Sequence, residues 1–262
     1  MNKEKKHVLI TGASSGIGLA IAKKFAKDGY PLIFVARNNE KLQKIASEII
    51  QEFGVEVITI SQDLSIKDAA SNIFNKVKEL DLQVNILVNN AGFNEMGHFT
   101  VSDLKKEIDL IQVHISIVIE LTKLFLPEMI KNGYGRIVNL GSVGSFLSVP
   151  NNAVYCAAKT FTYYFSNAIR HELRKTGVKV TSLCPGATNT NFHIEAEMSD
   201  LRMFNILPMT PEKVAKIAYP GILKGKRKII PGIYNKILAF TPIISPIWLT
   251  NRITDWMYQP IN

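Results

Sequence analysis

The sequence predicts an α/β domain, a parallel β-sheet with helices on both faces. Three observations carry this prediction. Short apolar runs of strand length alternate with longer stretches of helical period along most of the chain. A glycine-rich turn, Gly12-Ala-Ser-Ser-Gly16-Ile-Gly18, separates the first such run from the first helix. The 262 residues, 47% hydrophobic and 20% charged, suit one large domain with a sizeable core.

Residues 8–11 form the first strand and 19–27 the first helix. The turn between them is a phosphate-binding candidate. Glycine has no Cβ to hold an anion away from the backbone, and a helix N terminus presents free N–H groups. Residues 31–36 form the second strand, which ends in Arg37 with no acid before Glu40. An acid at this place in a dinucleotide site holds the ribose 2′-hydroxyl, whereas an arginine accommodates a 2′-phosphate. The cofactor expected is therefore NADP(H).

Residues 40–53 read as an amphipathic helix, 55–60 as the third strand ending near Asp63 and Leu64, and 65–80 as a helix with Asp68 in its first turn. The fourth strand, 84–88, is closed by Asn89-Asn90-Ala91-Gly92. A long helical stretch covers 99–131, with a bend or break expected at Pro127. Residues 136–140 and 178–183 are the fifth and sixth strands, with a helix at 153–175 between them. A helix at 213–223 follows the start signal Thr210-Pro211, and 229–232 suits a last edge strand. Right-handed crossovers bring the strand C-terminal ends to one rim, where open α/β sheets bind their ligands.

That rim carries Ser142 and then Tyr155-Cys-Ala-Ala-Lys159. Four residues apart on a helix, Tyr155 and Lys159 share a face. A cation there favours the phenolate of a tyrosine whose ordinary pKa is about 10, giving a proton donor and acceptor near neutral pH. Ser142 can offer its hydroxyl to the same substrate oxygen. Cys156 points roughly 100° away around the helix and reads as a packing residue.

Occurring together and in order, Thr11-Gly12-x-x-x-Gly16-x-Gly18, Asp63, Asn90-Ala91-Gly92, Ser142, Tyr155-x-x-x-Lys159 and Pro185-Gly186 resemble the short-chain dehydrogenase/reductase family, nearly to Gly232. The resemblance implies a doubly wound, Rossmann-type parallel sheet of about seven strands. It also implies an oxidoreductase that moves a hydride between NADP(H) and a ketone or aldehyde, or the matching alcohol. By resemblance Tyr155 passes the proton, Ser142 positions the substrate oxygen, and Lys159 lowers the Tyr155 pKa and binds the nicotinamide ribose. Gly12, Ser14, Ser15, Gly16, Ile17 and Gly18 hold phosphates. Asp63 and Leu64 border the adenine, and Asn90, Ala91 and Gly92 lie along the adenosine ribose. Pro185, Gly186, Thr188 and Thr190 fix the nicotinamide amide. No metal ligand belongs to this set. Family members commonly pair through the two long helices, so a homodimer or homotetramer is expected. One position departs: His114 stands where many members carry an asparagine that anchors a relay water. Either it binds that water or it is a hydrogen-bonded packing residue.

Residues 188–210 correspond to a lid over the substrate, and Phe192, Met198, Leu201, Met203 and Phe204 suggest a substrate with an apolar portion. The net charge of +9 comes from dispersed lysines, with tight clusters only near the start and at 224–228. Neither is interleaved with aromatics, which argues against nucleic acid. Two cysteines and the lack of a signal-peptide core lead us to expect a cytoplasmic protein. The expected division is a dinucleotide-binding and catalytic domain over 1–232 and an apolar extension over 233–262. That extension contains Phe240, Trp248 and Trp256 and is broken by Pro242 and Pro246. Its apolar stretches fall short of the ~20 residues of a membrane span. It is expected to pack on its own domain or on a subunit neighbour, in preference to a membrane surface or a hydrophobic substrate port. The rival readings are an NADP(H)-binding sensor with little turnover and a membrane-surface lipid or steroid ketone reductase.

Overall fold

Seven strands form a single parallel sheet in the computed structural model, which describes residues 6–190, 192, 200–202 and 208–259. They are β1 (His7–Thr11), β2 (Leu32–Ala36), β3 (Val57–Ser61), β4 (Val84–Asn89), β5 (Gly135–Leu140), β6 (Val178–Leu183) and β7 (Lys228–Ile229). The order β3-β2-β1-β4-β5-β6-β7 reverses direction between β1 and β4. That reversal opens a crevice at the strand C-terminal ends, the place where doubly wound sheets bind dinucleotides.

Both faces of the sheet are buried, so the strands are apolar at consecutive positions. Val8, Ile10 and Phe34 enter a core with Phe25 of α1 (Gly16–Lys27), Leu42 of α2 (Asn39–Phe53) and Ile222 of the helix that precedes β7. Leu9, Ile33 and Leu87 point the other way, toward Ile73 of α3 (Ala69–Glu79) and Leu121 and Phe125 of a helix at Ile117–Lys131. This alternation follows from the two-residue period of a strand.

Several element boundaries differ from the sequence reading. The third helix begins only at Ala69, because Asp68 takes a left-handed φ of 63° and sits outside it. The long helix starts at Leu104, capped by Asp103, whose Oδ1 accepts from Lys105 N at 2.8 Å and Lys106 N at 3.2 Å. It comprises α4 (Leu104–Ile111), a π-helical turn at Gln112–Ser116 and α5 (Ile117–Lys131). Pro127 does not break α5. Both Pro127 and Lys123 face solvent, so water can satisfy the Lys123 carbonyl that loses its amide partner. The run Leu104–Lys131 is long and apolar enough to cross a bilayer, but α5 packs against α3 and β4. The last strand is only Lys228–Ile229; Pro231, with no N–H, lies beyond it.

After β5 come a 3₁₀ turn (Val143–Phe146) and α6 (Ala153–Glu172); α7 (Pro211–Leu223) precedes β7. The apolar extension forms two helices, α8 (Ile233–Ile244), which contains Pro242, and α9 (Ile247–Met257), whose N-cap is Pro246. α8 lies beside the 3₁₀ turn, and Thr254 Oγ1 donates to the Ser148 carbonyl at 3.0 Å. On the outer face of the pair Ile237, Phe240, Ile244, Trp248 and Trp256 are exposed. Met198, Met203 and Phe204 of the expected lid lie outside the described residues.

Candidate active site

A cleft of about 730 Å³ runs along the C-terminal edge of the sheet. It gathers Gly12, Ser14, Ser15, Gly16, Ile17, Arg37, Asp63, Leu64, Asn90, Ala91, Gly92, Ser142, Tyr155, Lys159, Pro185, Gly186, Thr188 and Thr190 from seven separate segments. Gly18 alone among the expected catalytic and cofactor residues does not line it. It is buried in α1, where its Cα faces the Gly12 carbonyl and the Asn90 amide with no room for a Cβ, so it serves close packing of helix on strand.

The crevice between β1 and β4 is locked by hydrogen bonds. Thr11 Oγ1 accepts from the backbone N–H of Asn90 and of Ala91, each at 3.0 Å. Asn90 Nδ2 donates to the carbonyls of Thr11 at 3.0 Å and Gly12 at 3.2 Å. The Asn90 side chain therefore braces the turn. Gly12 has φ +67°, and a Cβ there would meet Asn90 Nδ2 at 2.8 Å and Ala91 Cα at 2.9 Å. Ser15 makes no side-chain cap at the start of α1, so the first-turn N–H groups are left for an anion. This cradle fits a dinucleotide pyrophosphate. At the end of β2 Arg37 and Lys41 both line the cleft, and Asn38 is occupied in capping α2, accepting from Lys41 N at 2.9 Å. Burial raises the Asp63 carboxyl, but Ser65 N at 2.9 Å, Ser65 Oγ at 2.8 Å, Arg37 and Lys105 hold it below the ordinary range.

Ser142 opens the 3₁₀ turn, its Oγ accepting from Gly144 N at 3.0 Å while Ser145 Oγ accepts from Ser142 N at 3.1 Å. Ser145 Oγ also donates to the Lys159 carbonyl at 2.8 Å, which ties the turn to α6. The Ser142 hydroxyl faces the Tyr155 phenol. Burial, with Cys156 beside it, nevertheless pushes Tyr155 above its ordinary value, outweighing Ser142. Lys159 is 4% exposed, and burial brings its ammonium down to about 7. Its Nζ donates to the Leu140 carbonyl at 2.8 Å and stands 5.5 Å from the centre of the Tyr155 ring. In this arrangement Lys159 is turned toward the Leu140 carbonyl, and burial dominates the Tyr155 phenol. Cys156 is buried and its thiol is raised to about 12, consistent with packing.

His114 sits in the π-helical turn, 2% exposed, with Nε2 2.8 Å from the Phe93 carbonyl. Burial first, then the Lys159 charge, lowers it well below 6.5, so the ring is neutral, and its Nε2 meets both the Phe93 carbonyl at 2.8 Å and the Phe93 N–H at 3.2 Å. It anchors the loop after β4.

Sequence reasoning missed two contributors, the first a polar chain and the second Asn152, and ranked a third, the extension at the cleft, below simple packing. Asn89 Nδ2 donates to Asn139 Oδ1 at 2.8 Å, and Asn139 Nδ2 to Ser166 Oγ at 2.9 Å, a buried polar chain linking β4, β5 and α6. Its signal was an asparagine inside each apolar run. Asn152 also lines the cleft, as do Tyr234, Asn235, Leu238, Thr254, Met257 and Tyr258 from the extension. Among the described residues no cluster of His, Cys, Asp or Glu could hold a metal.

The short chain dehydrogenase family matches residues 6–200. The chain belongs to that family. It is 35% identical over 219 residues to sulfoacetaldehyde reductase 2 of Chromohalobacter salexigens, covering 81% of this chain and 86% of that one. It is 29% identical over 259 residues to a very-long-chain 3-oxoacyl-CoA reductase of Macaca fascicularis, covering 97% and 77%. A short-chain dehydrogenase from Sphingobium yanoikuyae in complex with NADPH superposes with a TM-score of 0.82 at 30% identity, over 87% of this chain and 89% of that one. As a short-chain dehydrogenase it is an oxidoreductase that acts on carbonyl or alcohol groups with a nicotinamide cofactor.

Proposed function

We propose that this short-chain dehydrogenase is an NADP(H)-dependent reductase of ketones or aldehydes, with Tyr155 as the proton donor. The observation that carries the reading is the meeting of Ser142, Tyr155 and Lys159 in one cleft whose far end is lined by Arg37 and Lys41. Two cations at the end of β2, with no acid there, favour a 2′-phosphate. The cofactor, when bound, supplies the hydride. The chain's own residues handle the oxygen. Ser142 orients it, and Tyr155, kept protonated by burial, donates its phenolic proton to it. The Lys159 charge, 5.5 Å from the ring, stabilises the phenolate left behind. His114 keeps the Phe93 loop in place and carries no proton in this scheme.

NADPH oxidation measured over a panel of ketones, aldehydes and 3-oxoacyl thioesters, with NADH and Tyr155→Phe as controls, tests the reading. Turnover with NADPH that vanishes in Tyr155→Phe supports it. Tight NADPH binding with no turnover on the panel favours the sensor, and preference for NADH overturns the role given to Arg37.

A second reading, a reductase working at a lipid surface, is favoured by the exposed apolar face of α8 and α9, with Lys236 exposed on α8 and Arg252 between Trp248 and Trp256 on α9. Flotation of the full chain with anionic vesicles, abolished by Trp248→Glu with Phe240→Glu, supports it; no flotation ends it.

A further inference from the structure

A buried asparagine stands open beside Tyr155. Asn152 is 2% exposed, and beyond its contact with the Tyr258 hydroxyl neither of its amide atoms closes a hydrogen bond. It occupies the N-cap of α6, where an asparagine oxygen ordinarily accepts from the second or third helical N–H. Here that bond is not made. Buried amides are rarely left this way without a reason. The side chain lines the cleft three residues before Tyr155, on the same side of the first turn.

Tyr258, just after α9, meets it there. Its hydroxyl is enclosed, and Asn152 and Tyr155 both lie near enough to influence its charge. Around them the lining is apolar, with Val143, Leu147, Leu238 and Met257. Of the described cleft residues between 140 and 158 and beyond 185, none is charged. Among the described residues this wall offers hydrogen bonds, and the cation that follows it on α6, Lys159, is held by the Leu140 carbonyl.

We propose that Asn152 and Tyr258 form a second oxygen-recognition site, which binds a neutral acceptor oxygen a few bonds from the carbonyl that Tyr155 protonates. The inference rests on the reductase reading above. Asn152 Nδ2 and the Tyr258 hydroxyl are the donors. The substrate class is a ketone carrying a further ester, thioester or keto oxygen, as opposed to a carboxylate or sulfonate, which would enter an uncharged wall unpaired.

A matched pair of ketones tests this. Ethyl 3-oxobutanoate and 2-heptanone have the same chain length, and only the ester carries the second oxygen. With wild type, Asn152→Leu and Tyr258→Phe, kcat and KM are measured for both. Expected is a loss in kcat/KM for the ester of about tenfold in Asn152→Leu and about threefold in Tyr258→Phe, carried mainly by KM because the bond exists before and during reaction. The 2-heptanone values stay within about twofold. Equal losses on both substrates, as a structural role or a trapped water would give, overturn the second site, as does no loss in either variant. Tyr258→Phe removes one oxygen and decides the matter if Asn152→Leu fails to fold. Wild-type turnover of neither ketone overturns the inference alone where another member of the panel is reduced, and the reductase reading with it where none is; turnover of both with an unchanged ratio overturns the inference alone.

Discussion

The His114 ring stands edge-on to Tyr155, with centroids 5.6 Å apart and planes at 80°, while its Nε2 reaches the Phe93 carbonyl at 2.8 Å. A Cβ on Gly92 would collide with that ring, so His114 and Gly92 fit only as a pair. The histidine is lowered well below 6.5, so it stays neutral across the working range. His114 should add no titration step of its own to the rate of reduction, any step near pH 7 belonging to Lys159, and His114→Gln should leave the shape of the profile between pH 6 and 8.5 unchanged. A limb near 6.5 that disappears in the variant would restore a proton-relay role.

The same depression has a stability consequence. The unfolded chain binds a proton at His114 below about pH 6.5, while the folded chain does not until lower pH. Stability from this group is therefore present above about 6.5 and lost as pH falls toward the folded value. Thermal melts of wild type should fall more steeply below pH 6.5 than those of His114→Gln.

Lys159 acts over a different window. Its folded value of about 7 lies below the ordinary 10.5. The unfolded chain thus holds more protons between these values, and stability rises with pH across that window. Lys159→Met should lack this slope, melt about 3 °C above wild type at pH 7, and lose about 100-fold or more in turnover. A variant that melts lower at pH 7 would show that the bond to Leu140 outweighs the cost of burying the ammonium.

Arg37→Asp places a carboxylate where an acid would hold a ribose 2′-hydroxyl. The ratio of kcat/KM for NADPH over NADH should fall about 30-fold or more, from the lost charge-assisted bonds and the repulsion of phosphate. An unchanged ratio would assign phosphate recognition to Lys41.

Removing the middle of the Asn89–Asn139–Ser166 chain strands the buried Asn89 amide, while Ser166 Oγ keeps its bond to the Thr162 carbonyl at 2.6 Å. Asn139→Ala should cost about 2 kcal/mol in chemical denaturation and lower kcat, since α6 carries Tyr155 and Lys159.

The strands and the rim were legible because two-sided burial writes continuous apolar runs, and because glycine and asparagine motifs at strand ends need only local chemistry. Boundaries set by backbone exceptions were not. The left-handed Asp68 shortens a helix, the π-helical turn seats His114, and Pro127 is tolerated where its freed carbonyl meets water. The proton chemistry of Tyr155 and Lys159 was half legible: spacing places them together, but the direction of their pKa shifts depends on burial and on the Leu140 carbonyl. Asn152 and Tyr258 lie over a hundred residues apart in sequence, and no local pattern joins them.

Tyr234, Leu238, Met257 and Tyr258 wall the cleft from a single stretch after Gly232, whereas the Thr11–Asn90 lock and the Ser142 turn come from upstream strands. This downstream wall and the hydride machinery are thus inscribed in separate parts of the gene, with Asn152 as the wall's upstream partner. Drift, or an engineer's cassette exchange, confined to the downstream part can retune what is reduced while the hydride machinery is inherited intact.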